Sequence, residues 1–182
     1  MIDKLFITAD SLLTDSFELA ARIFDDGYRP SFIVALWRGG APIGIAVQEW
    51  LEHRGVSTDH IAVRTSSYRG IDHQEKTVRV HAMDYLVSHV TPQDRLLIVD
   101  DVFDSGRSLE AVIDELQRRC PDNHPREVRI ATVYYKPMRN RSRLKPDWFV
   151  HATERWLVFP HELVGLTEQE IATNKPAAQR RR

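Results

Sequence analysis

Apolar and polar positions follow two periods along this chain, and the switches between them mark its elements. Leu13, Phe17, Ala20 and Phe24 recur at helical spacing until Gly27 and Pro30 end the segment. Phe32-Ile33-Val34-Ala35-Leu36 is a continuous apolar run of strand length, and Trp37-Arg38-Gly39-Gly40 follows it as a turn. Ile43, Ala46, Val47, Trp50 and Leu51 fall at i, i+3, i+4, i+7 and i+8, an amphipathic helix ending near Gly55. Ile61-Ala62-Val63 reads as a strand, whereas the polar stretch Ser66 to Thr77 predicts a mobile loop. Leu96 to Val99 is the next strand, and Leu109, Val112, Ile113 and Leu116 share one helical face. Val128 to Tyr135 supplies a further strand. Strands alternating with helices argue for an α/β fold with a parallel sheet and right-handed crossovers. After Pro137 the pattern changes to the short aromatic runs Trp148-Phe149-Val150 and Trp156-Leu157-Val158-Phe159, which predict a small accessory lobe. A helical segment, Glu168 to Ile171, closes the chain.

Composition narrows the class without choosing a function. At 182 residues, with 42% hydrophobic and 28% charged positions, the chain suits one soluble domain with a sizeable core. A formal net charge of −1 provides no general attraction to nucleic acid or anionic membrane. The single cysteine, Cys120, excludes an intrachain disulfide framework and suits a reducing compartment. No apolar run reaches the roughly 18 residues of a membrane span and no signal-peptide pattern opens the chain, so a cytoplasmic location is expected. The eight histidines show no zinc-helix spacing. Residues 1–174 read as one domain, and 175–182 as a basic, disordered tail.

The densest chemistry lies in Leu96-Leu97-Ile98-Val99-Asp100-Asp101-Val102-Phe103-Asp104-Ser105-Gly106-Arg107-Ser108. A short strand is closed by two adjacent acids, and a small-residue turn opens a helix. Such a turn offers backbone N–H groups and two hydroxyls at a helix N-terminus, where a phosphate is held by hydrogen bonds and the helix dipole. The acids sit at the strand's carboxyl end, the ligand edge of open parallel sheets. The spacing is not that of a P-loop. A plain strand–turn–helix corner needs only one capping residue, whereas this turn carries five polar or small ones.

This segment resembles the phosphoribosyl-pyrophosphate (PRPP) motif of the type I phosphoribosyltransferases. Four further sites are similar to the 6-oxopurine group of that family, the hypoxanthine and xanthine-guanine enzymes. The resemblance implies a type I phosphoribosyltransferase-like central parallel sheet flanked by helices, with a hood lobe built from about 137–165 and the N-terminus. It implies that Asp100 and Asp101 meet the ribose hydroxyls and Mg²⁺, and that Ser105, Gly106, Arg107 and Ser108 hold the 5′-phosphate. Arg38-Gly39-Gly40 would receive pyrophosphate, with a cis peptide after Arg38. Ser66-Ser67-Tyr68 would open a flexible loop that closes over the reaction. Asp104 is then the catalytic acceptor of the purine proton, with helix capping as its ordinary alternative. Lys136 would hydrogen-bond the purine 6-oxo group and reject adenine. Trp156 would stack on the base, Leu157 would read the 2-position through its backbone, and Glu162 would hold a second Mg²⁺ through water. The partners implied are PRPP and a purine base, in a homodimer or homotetramer. Phe103 and Arg107 are bulkier or more basic than in some relatives. Two alternatives stand beside salvage of a 6-oxopurine: a pyrimidine acceptor, and a nucleotide-sensing regulator without catalysis.

Overall fold

The computed structural model describes residues 3–69 and 76–175. Its centre is a six-stranded sheet ordered β4-β3-β2-β5-β6-β7. The strands are β2 (Phe32–Trp37), β3 (Asp59–Arg69), β4 (Lys76–His81), β5 (Arg95–Phe103), β6 (Glu127–Tyr135) and β7 (Trp148–Ala152). All neighbours run parallel except the hairpin of β3 and β4. One face carries α1 (Ala9–Asp25) and α2 (Gly40–His53), and the other carries α3 (Asp84–His89) and α4 (Arg107–Arg119). Alternate residues of β5 serve the two layers: Leu97 and Val99 pack toward the first, Leu96 and Ile98 toward the second. Burial on both faces explains why this strand reads as an unbroken apolar run.

The chain order decides where a ligand can sit. From β2 the chain moves outward through α2 to β3, whereas from β5 it moves outward in the opposite direction through α4 to β6 and β7. Adjacent β2 and β5 are therefore the topological switch point, where the loops after both strands diverge and leave a crevice. Arg38-Gly39-Gly40 follows β2, and the Asp100–Ser108 segment spans the end of β5.

A second, two-stranded sheet pairs β1 (Lys4–Phe6) with β8 (Trp156–Val158), so the accessory lobe joins the first and last parts of the domain. α5 (Glu168–Asn174) packs beside it, opened by a capping box between Thr167 and Glu170 and tied to β1 by Lys4 Nζ–Glu170 Oε1 at 2.7 Å.

Several sequence expectations shift. Trp148-Phe149-Val150 does not belong to the accessory lobe. It is the core of β7, the sixth strand of the main sheet, which the chain reaches through a 3₁₀ turn at Pro137–Arg139 without a full helix. With no helical period to flag the crossover, the sequence hid it. The polar stretch from Ser66 to Thr77 is not one loop, since β3 runs to Arg69 and β4 begins at Lys76, with Ser66 opposite Arg79 and Tyr68 opposite Thr77. Within that stretch, residues 70–75 lie outside the described ones. The buried stripe of α1 is Leu12, Ser16, Leu19, Ala20 and Ile23, while Leu13 and Phe17 are 49% and 39% exposed. Adjacent apolar residues had left the phase open by one position, which is 100° of rotation.

Candidate active site

The two strand-end loops meet through glycine. A Cβ on Gly40 would lie 2.4 Å from the Val99 carbonyl oxygen and 3.0 Å from Asp100 Cα, and one on Gly39 would lie 1.9 Å from Asp101 Oδ2. The β2 loop is thus pressed directly onto the paired acids of β5, and only residues without a side chain permit that approach. The peptide bond between Trp37 and Arg38 is cis, one residue earlier than the resemblance implied. Arg38 itself is exposed at the crevice, with its carbonyl taking the Ala41 N–H at 3.2 Å.

Asp100 and Asp101 lie in the carboxyl-terminal half of β5, as expected, but the strand runs on past them, pairing with β6 as far as Phe103 opposite Tyr135. Burial, and then the neighbouring Asp101 charge, hold the Asp100 carboxyl well above its ordinary range, although the Gly40 and Asp101 N–H groups favour its ionised form. Burial pushes Asp101 up to about 7, with the Glu162 charge acting in the same direction. Two carboxyls held toward neutrality at a strand end suit hydroxyl groups together with a cation, which would relieve their mutual repulsion.

The turn after β5 is set by Gly106, at φ 77°, which caps α4. A Cβ there would strike Ser142 Oγ at 2.2 Å and the Phe103 ring at 2.7 Å. Bulky Phe103 is fully buried and meets Tyr135 edge-on at 5.5 Å, so it supports the turn from beneath. Ser105 is half-buried, its carbonyl accepting the Arg141 N–H at 3.0 Å, while Ser108 is half-buried and Arg107 exposed in the first turn of α4.

Asp104 is not a helix cap, because Gly106 occupies that position. Its carboxylate instead faces two cations, Lys136 Nζ at 3.7 Å and Arg139 Nη1 at 3.5 Å. Lys136 is 4% exposed, far from the solvated strand-end lysine that its position alone suggests. Its backbone N–H donates to the Phe103 carbonyl at 2.9 Å, which extends the β5–β6 pairing and aims the side chain at the crevice. Arg139 escaped the sequence reading. Its signal was the three-residue spacing from Lys136, which returns to the same side in a 3₁₀ turn.

The accessory lobe stands beside this turn. Glu154 Oε1 accepts the Met138 N–H at 2.9 Å, and the Thr153 N–H reaches the Tyr135 carbonyl at 3.0 Å. Trp156 is 50% exposed and Leu157 is buried beneath it. Glu162 turns its Oε2 onto the Phe159 N–H at 3.0 Å. Although its charge reaches Asp101, it forms no joint ligand set with Asp100 and Asp101. Among the described residues no group of three or more His, Cys, Asp or Glu is arranged to hold a metal by itself. Lys175 is not part of a loose tail, since its Nζ donates to the Phe159 and Pro160 carbonyls, and residues 176–182 lie outside the described ones. Ser66 lies in β3 with Oγ 3.0 Å from His81 Nε2; Ser67 and Tyr68 continue the strand.

Residues 8–167 match the family of the phosphoribosyl transferase domain, and the chain belongs to that family, whose members are glycosyltransferases. Within it the similarity is to purine enzymes. A hypoxanthine-guanine phosphoribosyltransferase of Lactococcus lactis is 25% identical over 180 residues, 96% of this chain and 88% of that protein. A purine phosphoribosyltransferase structure from Pyrococcus horikoshii superposes with a TM-score of 0.74 at 27% identity, covering 92% of this chain and 99% of the other. A Neisseria gonorrhoeae protein with bound ppGpp reaches a TM-score of 0.75 at 19% identity, covering 98% and 99%, a likeness of fold alone. Among the described residues no helix is long and apolar enough to cross a membrane.

Proposed function

We propose that this protein transfers the 5-phosphoribosyl group of PRPP to N9 of a 6-oxopurine, releasing pyrophosphate and a purine nucleoside 5′-monophosphate. The observation that carries this reading is buried Lys136 with its ammonium 3.7 Å from Asp104 at the switch-point crevice. An ammonium has three N–H donors, so one paired with a carboxylate can still serve a further acceptor, and a 6-oxo group beside an acid that takes a purine proton is such an acceptor. The bond from C1′ to the pyrophosphate oxygen breaks, the bond from C1′ to N9 forms, and Asp104 accepts the proton that the purine sheds. Arg38, Gly39 and Gly40 receive the leaving pyrophosphate, and the turn from Ser105 to Ser108 holds the 5′-phosphate. Asp100 and Asp101 take the ribose hydroxyls. Trp156 offers its exposed face to the base, and the Leu157 backbone reads its 2-position. Ser66, Ser67 and Tyr68 lead into the segment that covers the reaction.

The adjacent Asp100 and Asp101 carboxyls fit Mg²⁺ bound jointly with the substrate diol and phosphates, with Glu162 within electrostatic reach. When bound, the ion supplies charge neutralisation on the departing pyrophosphate. The setting is purine salvage in the cytoplasm, by a homodimer or homotetramer. Nucleotide formation from PRPP and Mg²⁺ with hypoxanthine, guanine, xanthine, adenine, uracil and orotate tests the reading. Turnover confined to 6-oxopurines is expected, and turnover with uracil or orotate overturns it. The nearly full-length likeness to a ppGpp-bound fold favours a second reading, a nucleotide-sensing regulator, which nucleotide binding without turnover on any base would establish.

A further inference from the structure

Lys175, at the end of the described chain, is half-buried and anchored by its ammonium. α5 is clipped to β1 by the Lys4–Glu170 pair, and the Lys175 N–H closes the helix on the Ile171 carbonyl at 2.8 Å. This fixes the stem of Lys175, which runs under the turn after β8. There its ammonium donates to the Phe159 carbonyl and, at 3.1 Å, to the Pro160 carbonyl. The Phe159 peptide is gripped on both sides, because Glu162 Oε2 accepts its N–H at 3.0 Å while its carbonyl also accepts the Glu162 N–H at 3.0 Å. The Glu162 charge acts on Lys175 and on Asp101 alike, and the charges of Arg38, Lys175 and Glu162 all act on His161. One half-buried lysine therefore ties the end of α5 to the turn that follows β8 and carries Glu162. Immobilising a long lysine side chain costs rotamer entropy, so a merely solvated head would not settle there. Two charge-assisted bonds to carbonyls offset that cost.

We propose that Lys175 is a positioning residue for the purine pocket. Its ammonium locks the turn 159–162 and so fixes β8, which carries Trp156 and Leu157 over the crevice. The inference rests on the transferase reading above and adds to it a residue from the C-terminal segment, which touches no substrate.

The test compares full-length wild type, Lys175→Met and Lys175→Arg by steady-state kinetics, by calorimetric binding of inosine monophosphate, and by amide exchange at Phe159, His161 and Glu162. For Lys175→Met the base KM and the nucleotide Kd rise roughly tenfold, kcat and the PRPP KM change less than about threefold, and the three amides exchange faster. Lys175→Arg, which can donate to the same two carbonyls, restores all of these. A Met variant whose base KM and nucleotide Kd both stay within about twofold of wild type overturns the proposal, whatever happens to its melting temperature. Should wild type transfer no base, the transferase reading fails separately, and the nucleotide Kd still decides for or against positioning. If Lys175→Met does not fold, Lys175→Gln carries the same comparison, because it keeps N–H donors on a shorter, uncharged stem.

Discussion

The β2–β5 edge and the accessory lobe face the same crevice but are built by different means. At the edge, Gly39 and Gly40 lie against Asp101 and Asp100 with no room for a methyl group, on two parallel strands whose apolar runs Phe32–Leu36 and Leu96–Val99 are buried. The lobe is stitched by polar bonds between the two ends of the domain, among them Lys4–Glu170, 166 residues apart, and Arg155–Asp3, 152 apart. Its aromatic face is half exposed, with Trp156 at 50%. Packing of the first kind is intolerant and rigid, whereas a polar seam of the second kind can adjust at modest cost. On the proposed reading, phosphates and departing charge fall to the rigid edge, because preorganised donors stabilise charge without reorganising, and the base falls to the adjustable lobe.

Substitutions on the two sides should separate accordingly. The largest effect is expected at Asp104→Asn, which lowers kcat roughly 10²–10⁴-fold while PRPP binding by calorimetry is retained. Unchanged turnover would remove Asp104 from the chemistry. Gly40→Ala comes next, because its Cβ meets main-chain atoms that cannot rotate away; a loss of about 3 kcal/mol is expected in denaturant unfolding, with PRPP binding lost in the folded fraction. Gly39→Ala meets a carboxylate instead, so it should spare stability relative to Gly40→Ala and still damage binding.

The paired acids also predict a pH signature confined to the edge. The folded Asp101 carboxyl sits at about 7, above its unfolded value of about 4, so its stabilising contribution is full below about pH 4 and is lost as pH rises through 7. Relative to Asp101→Asn, ligand-free wild type should lose roughly a few kcal/mol over that window in thermal unfolding. A constant difference between the two across pH 4–8 would refute the raised carboxyl. On the lobe, Trp156→Ala should raise the base KM several-fold with stability changed by less than about 1 kcal/mol, since half of its surface is already in water. The smallest effect is expected at Arg155→Ala, whose exposed pair with Asp3 contributes about 0–1 kcal/mol to the melting curve. A loss at Arg155 exceeding that at Gly40 would reverse the comparison.

Legibility followed the same division. The edge was readable because its signals are local: an apolar run, two acids, and glycines after a strand all act within a few residues. The helical faces of α2 and α4 were readable for the same reason, since Ile43, Val47 and Leu51, and Leu109, Val112 and Leu116, are buried as their spacing predicted. The lobe was read less well. Trp148-Phe149-Val150 and Trp156-Leu157-Val158 look alike as aromatic runs, yet one completes the main sheet and the other pairs with the N-terminal strand. Partner choice between strands depends on the whole chain's path and leaves no local mark. Lys175 was missed because a lone cation in a sequence has no visible partner, and Arg139 because its spacing from Lys136 carries meaning only once a 3₁₀ turn is known to follow β6.

By itself the sequence determined the α/β alternation, the glycine turn after one strand and the acidic, small-residue turn after another, because each follows from local periodicity and backbone stereochemistry. Tertiary structure alone decided that β2 and β5 are neighbours, which presses Gly39 and Gly40 onto acids 60 residues away in the chain. It alone also decided that Lys136 is buried beside Asp104 and that Lys175 grips the turn after β8. Strand order, burial and the pairing of distant charges are set by how layers pack, and no window of neighbouring residues carries that information.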